Sequence, residues 1–282
     1  MRSRLTVFVM VLFVASFGAL AFRTSAPAVQ VVQDHEYPGT FSILGVDPVT
    51  GDIGAAVQSC VFSVNGVLWA EAGVGAVATQ AIVDVSYGPQ AMELLRKGMA
   101  PKDIIKTVWD RDPDPQPATG PEQNQRNWTK LGRQFAVINA KGEMAAFTGP
   151  RADAWAGDRQ GKFCTAQGNI LAGQAVVDNM VAAFESTEKK EDGTRNHIAF
   201  RLLAALEAGQ AAGGDTRCQR SASMLIVRKD GGPWLHNDQV LHLKVDDNPE
   251  PIKELRRLVE ASPVGNRGRR GGGAGPARGG GS

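Results

Sequence analysis

What this chain lacks narrows it first. Its 282 residues hold three cysteines, Cys60, Cys164 and Cys218, far apart and with no C-x-x-C pair. That spacing supports neither a zinc site nor a dense disulfide framework. One disulfide with a thiol left over and three buried thiols are both compatible with it. Histidine is nearly as scarce: His35, His197, His236 and His242. None lies near a cysteine in sequence, which argues against a thiolate–histidine hydrolase. His236, Asp238 and His242 match no standard ligand spacing, so no metal is expected. Gly73-Val74-Gly75 is not followed by the rest of a G-x-G-x-x-G fingerprint or by a helix start. No dinucleotide site follows from it, and no cofactor is expected. A net basic charge is also missing from the body. The net charge of +2 conceals four arginines in residues 263–282 and leaves the body slightly acidic. That balance argues against a specific nucleic-acid partner.

What is present reads as one exported globular domain. The apolar fraction of 43% is ordinary for a folded protein. Arg2 and Arg4 precede an uncharged apolar run at 5–22, with A-x-A sites at 19–21 and 26–28. Residues 1–28 are expected to be a secretory signal peptide, placing the body in the periplasm or outside the cell. An uncleaved anchor is the alternative, and only then would the protein touch a membrane. Residues 29–39 read as a leader. Residues 263–282 read as an Arg/Gly-rich tail that cannot pack a core.

Between these ends the hydrophobic pattern alternates strands and helices. A β-rich run opens at the Gly39-Thr40 bond, turns through Asp47-Pro48-Val49-Thr50-Gly51-Asp52 and returns over 53–59, a hairpin pattern. Further strands are expected at 67–70, 73–80, 133–139, 143–148, 164–169, 221–227 and 240–245. Helices are expected at 87–96, 101–108, 175–185, 197–208 and 250–261, with Gly209 closing the fourth. This order predicts an α+β domain of two antiparallel sheets with helices outside. Small-residue strands and helix-covered sheets also permit a homodimer. Polar clusters interrupt the apolar runs at strand ends, where sites are built: Gln58-Ser59, Thr79-Gln80, Ser86-Tyr87-Gly88, Gln167-Gly168-Asn169, and Gly213-Gly214-Asp215 with Arg217. A threonine opening a strand carries its hydroxyl beside its own nitrogen. Once the preceding bond is cut, that amine has a reference pKa of about 8 and is a ready base for the hydroxyl.

Several of these segments together resemble the DUF1028 family. They are Thr40-Phe41-Ser42-Ile43, Gly75 to Gln80, Ser86-Tyr87-Gly88-Pro89, Ala146-Phe147-Thr148-Gly149, Gln167-Gly168-Asn169, Ala205 to Gly209, Gly213-Gly214-Asp215 and Val245-Asp246-Asp247. That family is similar to N-terminal-nucleophile (Ntn) hydrolases. The resemblance implies a four-layer αββα sandwich over 40–262 with Thr40 as nucleophile, freed by a cut at Gly39-Thr40. It implies an amidohydrolase acting on a small-molecule amide-type substrate. Asn169 is then the first choice of oxyanion donor, with backbone at Gly73 or Gly75 as a second. Asp215 and Arg217 would hold the amine or a polar substrate group. Ser59, Gln80 and Tyr87 complete the candidate binding set. A non-catalytic binding module on the same scaffold is the alternative.

Overall fold

The computed structural model describes residues 39–113, 129–152 and 154–266. The chain divides into two units, 1–33 and 34–282, and every described residue falls in the second. The expected signal peptide, most of the leader, the loop at 114–128 and the tail from 267 lie outside the described residues.

The fold is mixed α+β, with two antiparallel sheets. The strands are β1 (Thr40–Val46), β2 (Ile53–Ser59), β3 (Leu68–Glu71), β4 (Gly75–Ala81), β5 (Arg133–Asn139), β6 (Met144–Thr148), β7 (Trp155–Gly161), β8 (Cys164–Leu171), β9 (Ser221–Val227) and β10 (Gln239–Val245). The helices are α1 (Tyr87–Arg96), α2 (Pro101–Arg111), α3 (Ala175–Ser186), α4 (Ile198–Ala211), α5 (Pro251–Ala261) and the short α6 (Pro263–Asn266). One sheet has the order β10-β9-β2-β1-β8-β7 and the other β3-β4-β5-β6.

The central strands are buried along their whole length, and their sequences say why. TFSILGV in β1 and IGAAVQS in β2 carry apolar side chains at both odd and even positions. Such strands need cover on both faces. Phe41 and Ile43 join a core with residues of α3, α4 and α5. Leu44 and Val46 point the other way, into a second core shared with Ala76, Ala78, Ala136 and Ile138 of the smaller sheet. A third core joins β4 and β5 to α1 and α2. Each fully buried Leu, Ile or Phe contributes roughly 1.5–3 kcal/mol relative to exposure.

The β1–β2 turn follows its sequence closely. Gly51 N donates to the Asp47 carbonyl (2.9 Å), and the Asp47 carboxylate accepts from Val49 N (2.9 Å) and Thr50 N (3.2 Å). Gly51 has φ +73°, which glycine adopts without a Cβ penalty.

Three elements differ from expectation. The edge strand β7 has no counterpart in the sequence reading, because its Asp158-Arg159-Gln160 stretch is exposed and carries no apolar alternation. Gly209 lies inside α4 and does not end it. A Cβ there would sit 2.7 Å from Met180 Cγ, so this glycine permits close approach of α3 and α4. The chain also keeps its structure past Pro263: α6 buries Val264 against the core.

Candidate functional site

Register builds the site. β1 is flanked by β2 and β8, and Thr40 faces Ser59 on one side and Asn169 on the other. Three residues distant in sequence thereby meet at one end of the sheet, all buried. Thr40 N donates to Asn169 Oδ1 (2.9 Å). Thr40 Oγ1 donates to Ser59 Oγ (3.1 Å), and Ser59 Oγ donates to the Gly39 carbonyl (2.5 Å). The hydroxyl of Thr40 and the carbonyl just before it are thus joined through a single serine.

The loop before β9 closes over this end. Arg217 grips Asp215 with two parallel bonds, Nε to Oδ1 (3.0 Å) and Nη2 to Oδ2 (2.7 Å). This fork-to-fork geometry holds the guanidinium plane in place. Its Nη2 also donates to the Gly39 carbonyl (2.9 Å). The Gly39 oxygen therefore has two donors, one of them a cation. Gly39 itself is walled in. A Cβ there would come within 2.8 Å of Asp215 Oδ2, 2.9 Å of Arg217 Nη2 and 2.9 Å of Ile170 Cβ. Only glycine fits without displacement.

Gln80 reaches Thr40 from the facing sheet. Its Nε2 donates to Gln134 Oε1 (2.8 Å) and Gln167 O (3.2 Å), with a longer contact to Thr40 O (3.4 Å). Its Oε1 accepts from Ser42 Oγ (2.6 Å). This satisfied polar network fixes the spacing of the two sheets beneath the site. In contrast, Asn169 Nδ2 is buried and has no hydrogen-bond partner. A buried amide N–H group without a partner costs about 1–3 kcal/mol, so it calls for an explanation.

A cavity of about 250 Å³ opens beside Thr40. Val61, Val64, Val67, Val83 and Val85 line it, together with Ser63, Asn65 and, from the end of β4, Thr79, Gln80 and Ala81. Among the described residues no charged side chain lines it.

Not every candidate comes to this place. Gly73 lies in the β3–β4 turn and Gly75 begins β4. Gly75 is five residues from Gln80, roughly 17 Å along an extended strand. Tyr87 is buried with the helix-side core, its hydroxyl donating to Asp112 Oδ2 (2.7 Å). It does not line the cavity at Thr40. Burial and the neighbouring Asp112 carboxylate raise its pKa well above the ordinary phenol value. Among the described residues no group of three or more His, Cys, Asp or Glu side chains is placed to hold a metal ion.

Two features escaped sequence reasoning. Ile170 and Ala81 have φ of +53° and +65°, one next to Asn169 and the other next to Gln80. Left-handed backbone at non-glycine residues costs about 1–3 kcal/mol each and gathers where surrounding structure enforces it. Nothing in a side chain announces it. The second is which cysteines pair: of the two readings the sequence left open, one disulfide with a thiol left over holds, and the bridge is Cys60–Cys218, with Cα atoms 5.1 Å apart. It joins the residue after Ser59 to the residue after Arg217. Cys164 remains a free, buried thiol; burial and then the Glu185 charge push its pKa up to about 12, so it is inert as a nucleophile.

Comparison with known proteins gives three results. The family model described as "Family of unknown function (DUF1028)" matches residues 40–255. The crystal structure of protein SPO2555 from Silicibacter pomeroyi, of the same family, is similar to this chain at 28% identity and a TM-score of 0.64. The match covers 82% of this chain and 91% of that one. No curated protein matches the chain.

Proposed function

The chain belongs to the DUF1028 family, and from that premise we propose that it is an exported Ntn-type amidohydrolase with Thr40 as its nucleophile. The packing of α3, α4 and α5 on the six-stranded sheet and of α1 and α2 on the four-stranded sheet supports an αββα four-layer reading. The observation that carries the functional reading is the Thr40–Ser59–Gly39 chain of hydrogen bonds, with Arg217 on the same carbonyl.

That arrangement suits self-cleavage at Gly39-Thr40. Thr40 Oγ attacks the Gly39 carbonyl carbon, and charge develops on the Gly39 oxygen. Ser59 Oγ–H and the Arg217 guanidinium sit where that charge appears. The Gly39 C–N bond breaks, and the hydroxyl proton ends on the Thr40 nitrogen. Water then hydrolyses the resulting ester. The products are a Gly39 carboxylate and a free α-amine on Thr40.

The freed amine next serves as the base that takes the Thr40 hydroxyl proton. It keeps Asn169 Oδ1 as its acceptor. Asn169 Nδ2, now without a partner, becomes the donor for a substrate's oxyanion. The departed Gly39 leaves room beside Asp215 and Arg217 for a polar substrate group. The valine-lined cavity accepts a compact uncharged one. The disulfide supports an oxidising compartment, in keeping with the export reading of residues 1–28.

N-terminal sequencing of the purified protein tests the proposal. Thr40 should be the first residue, and a Thr40→Ala variant should retain the residues ahead of it. A mature chain that begins at Phe22 or Val29 overturns the hydrolase reading and favours a binding module.

A further inference from the structure

A second cavity, of about 360 Å³, lies at the opposite end of β1, beneath the β1–β2 turn. It is lined by Pro48, Val49, Phe163, Lys162, Arg195 and Arg201, together with Glu185 and Glu188. A seven-residue strand separates it from Thr40, roughly 20 Å.

Arg201 is the residue that needs explaining. It sits in the first turn of α4 and is only 4% exposed. Its Nε donates to the Phe184 carbonyl (3.1 Å), and its guanidinium lies over the Phe184 ring at 3.9 Å. These contacts orient the group but do not neutralise it. Among the described residues no carboxylate lies within ion-pair distance of Arg201. Arginine is almost never fully buried unless paired, because desolvating an uncompensated charge costs several kcal/mol. Burial accordingly lowers the pKa of Arg201, and the neighbouring Arg195 lowers it further while Asp47 and Glu188 act against this.

The other charges of the cavity are accounted for differently. Arg195 is held by Asp47 Oδ2 (2.7 Å) and Glu188 Oε1 (3.0 Å). Glu185 Oε1 accepts from the backbone N–H of Lys162 (2.6 Å). The Lys162 ammonium has only the Phe163 ring, 6.0 Å away, and no carboxylate among the described residues. Two cations that line one cavity therefore have no ion-pair partner among the described residues.

We propose that this cavity is a binding site for a compact organic monocarboxylate, its carboxylate taken by Arg201 with help from Lys162. A planar guanidinium matches a carboxylate with two parallel bonds. Pro48, Val49 and Phe163 supply an apolar wall for a short hydrocarbon body. The two glutamates of the lining repel a doubly charged anion such as phosphate about twice as strongly as a singly charged carboxylate. The site stands apart from Thr40 and does not depend on the hydrolase reading.

Calorimetric titration of the full chain with acetate, isobutyrate and inorganic phosphate tests the proposal. Isobutyrate should bind at one site in the millimolar range, more tightly than acetate and far more tightly than phosphate. Lys162 is exposed, so Lys162→Gln should leave the fold intact and weaken isobutyrate about threefold, as for a partly exposed ion pair. Arg201→Lys keeps the charge, loses the fork and should weaken binding about tenfold. Absence of carboxylate binding, a preference for phosphate, or unchanged binding in Lys162→Gln would overturn the assignment. If Arg201→Lys does not fold, Lys162→Gln decides.

Discussion

Asn169 uses one half of its amide on the Thr40 nitrogen and leaves Nδ2 buried without a partner. Protein interiors rarely tolerate this, and an atom kept ready for a transient oxyanion is a physical reason to tolerate it. We expect an Asn169→Ala variant of the cleaved protein to react with a small β-lactone at Thr40 about 10²–10³-fold more slowly, the usual cost of one lost oxyanion donor. Labelling kinetics followed by mass spectrometry check this; equal rates would remove Asn169 from the chemistry. Ser59 was legible only as a polar residue at a strand end. Its position between the Thr40 hydroxyl and the Gly39 carbonyl is a product of register. Gly39 was legible as the residue before the proposed nucleophile, but the walls that exclude any side chain there come from Asp215, Arg217 and Ile170, which are far away in sequence.

At the scale of elements, the β1–β2 hairpin was readable because its turn residues form their own bonds. Asp47 is the centre of that turn and also meets Arg195. Burial alone would raise the Asp47 pKa, but the Arg195 guanidinium and the N–H groups of Val49 and Thr50 outweigh this and lower it below its ordinary 3.8. A carboxylate with a depressed folded pKa adds stability above its unfolded pKa and loses it as pH falls through the folded value. Asp47→Asn should therefore destabilise the protein at neutral pH by about 1–2 kcal/mol, discounted because Arg195 is partly exposed. The gap between variant and parent should narrow below about pH 4. Urea unfolding at pH 7 and pH 3 measures both; a gap that widens in acid would contradict the assignment. β7 was unreadable for the converse reason, since an exposed edge strand has no buried face to impose a pattern. Gly209 misled because a glycine near a helix end suggests a stop, whereas here α3 needs the missing side chain.

At the scale of the molecule, the site is held by segments that only the complete fold brings together. The Cys60–Cys218 disulfide ties two of them at residues 158 apart, directly after Ser59 and Arg217. Closing so long a loop constrains the unfolded chain, and its loss should cost about 3 kcal/mol. A Cys60→Ser/Cys218→Ser variant should melt at lower temperature than the parent and cleave Gly39-Thr40 more slowly. Reductant should lower the parent's melting temperature toward that of the variant. Unchanged melting on reduction would show that the bridge is not a structural tie. The three cysteines alone left this pairing open, because a distance of 158 residues carries no information about proximity.

The sequence by itself determined the alternation of strands and helices and most of their limits, and it marked Thr40 as a candidate. These are local matters: apolar period, turn chemistry, and a hydroxyl beside its own nitrogen. Tertiary structure alone decided which polar residues reach Thr40, which cysteines pair, and that Arg201 is buried with no ion-pair partner among the described residues. Those outcomes depend on strand order, register and burial, and such non-local pairings leave no mark on the residues that make them.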